Sequence, residues 1–370
     1  MPEKYNILVS GGGTGGHIFP AIAIANALTA RLGDKVNILF VGAKGKMEME
    51  KVPQAGYAIE GLWISGLQRK LDLRNLSFPF KIISSLQKAG GIVKRFKPHA
   101  AVGTGGYASG PLLYQASRKK VPTLILEQNS YPGITNKLLG KTVNKVCVAY
   151  PGMEKFFPAG KITITGSPIR KEILHLKVSK KEALAFFGLQ PDKPTLLIIG
   201  GSQGALRPNE VIAEKLDEIL STDIQVLWQT GKHSLEMASQ AVEQSKFKGK
   251  IKVTEFIKRM DMAYAAADLI ISRAGAIAIA EIVAVKKPAI LIPLPSAAED
   301  HQTKNALTLT NRKAAVLVKE SDANEKLATT INDLMQNRGD RLVMVQNLKR
   351  FEHPEATEQI VDEILKMIDN

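Results

Sequence analysis

The chain has 370 residues, 45% hydrophobic and 23% charged, a length that favours two or three globular domains over one. A single cysteine, Cys147, excludes an intrachain disulfide framework and any multi-cysteine metal site, and it fits a reducing compartment. The formal charge of +15 calls for an acidic partner, yet no run approaches the roughly 18 apolar residues of a membrane-spanning helix.

The first ten residues pass directly into a strand without a charged n-region and apolar h-region, which predicts a protein that stays in the cytoplasm. Residues 6–10 read as that strand. It runs into Gly11-Gly12-Gly13-Thr14-Gly15-Gly16-His17, followed by an alanine-rich helix over residues 21–31. Glycines remove the Cβ atoms that keep a substrate from the main chain, and the helix turns its positive dipole end toward whatever binds. Phosphate or carbohydrate chemistry is the first expectation. Gly11, Gly13 and Gly16 also satisfy G-x-G-x-x-G, but the second strand, residues 37–41, ends in Gly42-Ala43-Lys44 without the acid that a dinucleotide site needs. Gly45-Lys46 is followed by Met47, so a Walker A loop is also disfavoured.

Between residues 62 and 97, Arg69, Lys70, Arg74, Lys81, Lys88, Lys94, Arg95 and Lys97 stand against Asp72 alone. Trp63, Phe78, Phe80, Ile82 and Ile83 are interleaved with them. The pattern suits an anionic membrane surface, where each Lys or Arg adds about 1 kcal/mol, and it equally suits a solvated helix face. No helix-turn-helix, zinc-finger or RNP pattern accompanies the charge, so no nucleic-acid partner is expected.

Strand-like runs continue at residues 100–102, 123–126, 145–149 and 162–165, and a turn at Gly166-Ser167-Pro168 marks a domain boundary. A second series follows at 195–199, 224–229, 251–254, 269–272, 289–292 and 315–318. The expected fold is α/β, two doubly wound Rossmann-like parallel-sheet domains facing a cleft, with glycine loops at the strand ends. The expected division is 1–168, 169–345, and a terminal segment 346–370 packing back on the first domain.

The second half offers the better nucleotide pocket. Gly200-Gly201-Ser202-Gln203-Gly204 ends a strand and opens a helix, so its amides and the Ser202 hydroxyl suit a diphosphate. Ser272-Arg273-Ala274-Gly275-Ala276 does the same before a helix over 277–285, in which Glu281 either accepts from a ribose diol or is a helix-surface carboxylate. Asp300-His301-Gln302-Thr303-Lys304-Asn305 supplies amide side chains for sugar hydroxyls, or is simply a loop entering a helix.

GGGTGGHIFPAIAIA, VGTGGYASGP, EQNSYPGITNK, TGSPIR, GGSQGA, TEFI, SRAGAIAIAEI and DHQTKNA, in that order between residues 7 and 306, resemble the motifs of the MurG family. These are GT-B undecaprenyldiphospho-muramoylpentapeptide β-N-acetylglucosaminyltransferases. The resemblance implies an inverting enzyme that moves N-acetylglucosamine from UDP-N-acetylglucosamine to the 4-hydroxyl of lipid I, giving lipid II for peptidoglycan synthesis. It implies donor contacts from Thr14, Gly15, Gly16, Asn129, Arg170, Ser202, Ile257 (through its main chain), Ala276, Ile277, Ala278, Ile279, Ala280, Glu281, Gln302 and Asn305. Gly105, Gly106 and Tyr107 would meet the acceptor diphosphate, or form a turn that merely closes a strand. His17 would be the general base, its ordinary pKa near 6.5 suiting the task, or an orienting helix-start residue. Glu127 would assist proton transfer or orient the acceptor, or be a hydrogen-bonded loop carboxylate; Arg170 has an interdomain salt bridge as its alternative.

Amides at helix N-termini with Arg170 would stabilise the departing UDP, and no D-x-D pair follows a strand, so neither a tightly bound cofactor nor a divalent metal is expected. The remaining implied partners are the anionic membrane surface, with the protein peripheral on the cytoplasmic face of the plasma membrane, and other cell-wall synthesis and division proteins. The chain departs from the family pattern at Leu126, Ser167 and Ala278, and the losses at Leu126 and Ala278 concern accessory roles. A UDP-N-acetylglucosamine 2-epimerase, another glycolipid transferase, or a non-enzymatic sugar-nucleotide-binding subunit would share the scaffold. GGTGGH with EQN argues against the two enzymes, and His17 against the last.

Overall fold

A computed structural model describes residues 4–66, 77–200 and 204–369. Arg69, Lys70, Arg74 and Ser202 lie outside them. The chain divides into two compact units, residues 1–170 with 355–370, and residues 171–354.

The first unit contains strands β1 (Tyr5–Gly11), β2 (Val36–Ala43), β3 (Ala58–Leu62), β4 (Ala100–Gly105), β5 (Thr123–Glu127), β6 (Lys145–Val148) and β7 (Ile162–Ile164). Its helices are α1 (Gly15–Leu32), α2 (Glu48–Gln54), α3 (Phe78–Phe96), α4 (Ser109–Arg118) and α5 (Ile134–Leu139). The strands form one sheet in the order β3-β2-β1-β4-β5-β6-β7, and every pairing is parallel. Helices cover both faces, so β4 and β5 are buried along their whole length, which is why they read as continuous apolar runs rather than alternation. The edge strand β3 went unread in the sequence. Its AIEGL has one half-exposed acid and no β-branched run beyond Ile59, as an edge position permits.

The second unit contains β8 (Thr195–Ile199), β9 (Gln225–Gln229), β10 (Ile251–Thr254), β11 (Leu269–Ser272), β12 (Ala289–Leu291) and β13 (Val316–Leu317). Among them run α6 (Lys171–Leu174), α7 (Lys180–Phe187), α8 (Leu206–Glu214), α9 (Leu216–Ile219), α10 (Leu235–Gln244), α11 (Met260–Ala266), α12 (Ala276–Val285), α13 (His301–Thr310), α14 (Ala323–Gln336) and α15 (Arg338–Leu348). The sheet order is β10-β9-β8-β11-β12-β13, again parallel throughout.

The last helix, α16 (Ala356–Asp369), belongs to the first unit. Ile360, Val361 and Ile364 are fully buried beside Ile7, Ile24 and Leu28, each contributing about 1.5–3 kcal/mol relative to exposure. Arg31 pairs with Asp362, and Lys145 with Glu363 at 3.2 Å, on the helix margin. Residues 346–354 stay with the second unit, because Met344 of α15 packs into its core and Asn347 donates to the Lys313 carbonyl. The segment that returns is therefore 355–370, shorter than the 346–370 read from the amphipathic pattern. Among the described residues, no helix is long and apolar enough to cross a membrane.

Candidate active site

In the first unit β1 pairs with β2 on one side and β4 on the other, so the strand order reverses there, where open α/β sheets bind ligands. Ser10 lies opposite Gly103 and Gly11 opposite Gly105, a register shift that leaves Thr104 displaced between them. The Thr104 hydroxyl donates to the His17 carbonyl at 2.7 Å. It thus pins the start of α1 to the end of β4.

Helix α1 begins at Gly15, not at residue 21, and His17 occupies its first turn. Two glycines and an internal proline, Pro20, make this stretch a poor helix by propensity, so tertiary contacts at His17 hold it helical. The N-cap, Thr14, is extended at φ −145° and ψ 157°, and no side chain caps the helix. Such an end directs main-chain N–H groups outward.

His17 is half-buried, with Nδ1 3.0 Å from the Gly12 carbonyl. Its ring lies against Gly105, where a Cβ would come within 2.6 Å of Cδ2 and where φ is +108°. Both facts require glycine there. Tyr107, 47% exposed, has its ring beside Gly66, while Gly106 adjoins the Gly12 main chain. The structure therefore brings His17, Gly105, Gly106 and the 11–16 loop together at one switch point.

Glu127 closes strand β5. It is 2% exposed. Its Oε1 accepts from the main-chain N–H and side-chain amide of Asn129, both at 3.0 Å, and its Oε2 from Gly133 N–H at 3.2 Å and Asn136 Nδ2 at 2.9 Å. Four N–H donors occupy its two oxygens, the arrangement of a carboxylate that organises the 127–136 loop. That loop in turn orients Asn129. Gln128, buried, donates Nε2 to the Thr104 carbonyl at 2.8 Å and braces the β4 loop from behind.

The residue that motif reading missed in this region is Glu48, at the start of α2 and 1% exposed. Its Oε2 accepts from Gly13 N–H and its Oε1 from Ala43 N–H, each at 2.9 Å. A Cβ at Gly12 would sit 2.1 Å from Oε1, so that glycine makes room for the carboxylate rather than for a ligand. Glu48 belongs to no recognisable motif, and only the fold reveals its position.

In the second unit the order reverses between β8 and β11, and a small cavity there is lined by Ile199, Gly200, Asn209, Ser272 and Arg273. Arg273 Nη1 donates to the carbonyls of Ile292 and Pro293 at 3.3 and 3.2 Å, and Nη2 pairs with Glu320 at 2.5 Å. The guanidinium is a brace between strand ends. Helix α12 opens at Ala276 behind an extended Gly275, again with no side-chain cap.

Of the expected donor residues on this helix, Ala276, Ile277, Ala278 and Ala280 are half-buried, whereas the Ile279 side chain is 1% exposed in the core. The side chain of Ile279 packs in the core of the second unit. Glu281, 5% exposed, accepts from the Tyr264 hydroxyl at 2.9 Å. Asn305 is fully buried and donates to the Ala274 carbonyl at 3.3 Å, which ties α13 to the loop before α12. Gln302 is half-buried, its Oε1 accepting from Leu294 N–H at 3.0 Å.

The Ile257 N–H is donated to Gln229 Oε1 at 2.9 Å, which leaves main-chain recognition of a base to its carbonyl. Just after it, Arg259 forks onto Asp261 at 2.9 and 2.6 Å and holds that carboxyl below its ordinary value, stiffening the turn. Arg170 is half-buried at the end of the first unit.

Two doubly wound parallel sheets, each with glycine loops at its switch point, are the architecture of GT-B glycosyltransferases. Residues 7–148 match the glycosyltransferase family 28 N-terminal domain and residues 195–360 its C-terminal domain. The chain is 53% identical over 370 residues to the UDP-N-acetylglucosamine–N-acetylmuramyl-(pentapeptide) pyrophosphoryl-undecaprenol N-acetylglucosamine transferase of Cytophaga hutchinsonii, covering 100% of this chain and 99% of the relative. The enzyme of the same name from Flavobacterium psychrophilum is 50% identical, with 100% and 99% covered. The crystal structure of Acinetobacter baumannii MurG superposes with a TM-score of 0.81 at 32% identity, covering 98% of this chain and 99% of that one. The chain belongs to the MurG family within glycosyltransferase family 28.

Proposed function

We propose that the protein transfers N-acetylglucosamine from UDP-N-acetylglucosamine to the 4-hydroxyl of undecaprenyl-diphospho-N-acetylmuramoyl-pentapeptide, with inversion, forming lipid II for peptidoglycan synthesis. The observation that carries this reading is the imidazole of His17 at the β1/β4 switch point, tied through Nδ1 to the Gly12 carbonyl. A carbonyl only accepts, so Nδ1 carries the proton and the basic lone pair sits on Nε2. Nε2 takes the proton of the attacking 4-hydroxyl, whose oxygen bonds to the sugar C1. The C1–O bond to phosphate breaks, and its electron pair leaves with UDP.

Negative charge building on the diphosphate is met by main-chain N–H groups at the start of α12, by the glycine loop after β8 with Ser202, and by Arg170. Glu281 holds the ribose, the Ile257 carbonyl the uracil, and Thr14, Gly15, Gly16, Asn129 and Gln302 the sugar. Gly105, Gly106 and Tyr107 receive the acceptor diphosphate. These parts stabilise the leaving group without a tightly bound metal.

We place the protein on the cytoplasmic face of the plasma membrane, docked through α3 and its neighbours. Support comes from Phe80, Ile83 and Trp63, exposed at 67%, 55% and 48%, beside Lys81, whose Nζ lies 5.9 Å from the Trp63 ring centre. Sedimentation with anionic vesicles, lost in a Phe80→Asp/Ile83→Asp variant, is the expected result; equal binding of both proteins to anionic and neutral vesicles would remove the assignment.

The decisive assay is transfer of labelled N-acetylglucosamine from its UDP donor to a short-chain lipid I analogue. A β-linked disaccharide product is expected. Folded protein that binds UDP yet makes no product would overturn the reading.

A further inference from the structure

We propose that Glu48 is a positioning residue that sets the tautomer and direction of the His17 imidazole through a single peptide group, the one joining Gly12 to Gly13. The inference rests on the reading of His17 as the base.

The carbonyl facing His17 Nδ1 at 3.0 Å and the N–H donated to Glu48 Oε2 at 2.9 Å are the two ends of that one amide. An anion on the N–H side polarises the amide and makes its oxygen a stronger acceptor, so the carboxylate acts on the imidazole without touching it. The second oxygen of Glu48 is fixed by Ala43 N–H at 2.9 Å, at the end of the neighbouring strand β2. This bond stops the carboxylate from turning. Together the two bonds hold the amide plane, and with it the acceptor that His17 must meet.

The surroundings support a role beyond stability. Glu48 is 1% exposed, and among the described residues it forms no ion pair with a lysine or arginine. Burying a carboxylate with only two amide partners is costly, whereas a neutral isostere would avoid the charge. The sequence accommodates it with two glycines. A Cβ at Gly12 would lie 2.1 Å from Oε1, and one at Gly42 would lie 2.5 Å from Cγ. Thr104 completes the arrangement by holding the His17 main chain, so the imidazole is oriented from both its backbone and its ring.

The logic is that of a carboxylate orienting a catalytic histidine, with a peptide unit between the two groups. Its chemical consequence is specific. With the proton held on Nδ1, Nε2 presents its lone pair to the acceptor hydroxyl; the opposite tautomer would present an N–H and abstract nothing.

The test uses full-length protein labelled with 15N-histidine, the His17 resonances being assigned by their loss in His17→Gln. In the unaltered protein the expected signature is a protonated Nδ1 and an unprotonated Nε2 at the pH of the transfer assay. In Glu48→Gln one of the two N–H donors must face an amide NH2. We expect the His17 signature to shift toward the Nε2–H form and kcat to fall about 10- to 100-fold, with KM for UDP-N-acetylglucosamine changed less than about threefold. A merely structural Glu48 would lower the melting temperature and raise KM while leaving the tautomer in place.

An Nε2–H signature in the unaltered protein overturns the proposal even if Glu48→Gln does not fold. A kcat within twofold of the parent in folded Glu48→Gln, together with loss of transfer in His17→Ala, overturns it while leaving the base assignment standing. Full transfer by His17→Ala overturns the base assignment itself.

Discussion

Two buried carboxylates of the first unit bond main-chain groups at strand ends, and their hydrogen bonds reach in different directions. Glu127, at the end of β5, accepts four N–H donors from the loop that follows it, all within nine residues of its own position. Glu48 accepts two, and one of these comes from Gly13, 35 residues earlier. The first carboxylate is local and saturated, so it builds a loop. The second reaches across two strand ends to the amide that faces His17, so it acts on another loop's chemistry. The range of their hydrogen bonds, local for Glu127 and between elements for Glu48, is what sets the two carboxylates apart.

Mutations that separate the two regions test this contrast. The largest effect is expected from His17→Ala, with kcat lowered about 10²- to 10⁴-fold and UDP affinity, read by calorimetry, nearly unchanged. Next come the carboxylates themselves. Glu127→Gln replaces one acceptor oxygen with a donor facing N–H groups and is expected to cost about 1–3 kcal/mol of stability in urea unfolding, while kcat falls less than tenfold. Glu48→Gln should show the reverse balance. If Glu127→Gln lost more turnover than Glu48→Gln at unchanged stability, the contrast would be inverted.

In the second unit, Asn305→Ala removes the hydrogen bond to Ala274 and should act through the loop before α12. Stability is expected to fall by about 1 kcal/mol, with KM for the donor rising more than kcat changes. A raised donor KM at unchanged stability would return Asn305 to direct sugar contact.

The smallest effect concerns Cys147, buried on β6 with its thiol pushed up to about 12 by burial. Iodoacetamide at pH 8 should leave the folded protein unlabelled and fully active, and label the urea-unfolded chain completely. Rapid labelling of the native state would mean that the core around β6 opens.

Much of this was legible in the chain. Twelve of the thirteen strands stand out as short β-branched or leucine-rich runs, because a parallel sheet covered on both faces needs apolar side chains in both directions. The glycine loops are equally plain, since close approach of backbone to backbone or to ligand excludes Cβ atoms. Side-chain assignments were less legible wherever burial decides the role. Ile279 and Asn305 belong to motifs that point to a ligand, yet their side chains face the core.

By itself, then, the order of strands, loops and motifs determined the fold class, the family and the placing of His17 at a helix start, because these follow from local periodicity and steric need. Only the tertiary structure decided that α1 begins at Gly15, that 355–370 rejoins the first unit, and that Glu48 bonds the peptide group facing His17. Each of those depends on atoms brought together from distant parts of the chain. A hydrogen bond between Gly13 and Glu48 leaves no periodic or compositional trace.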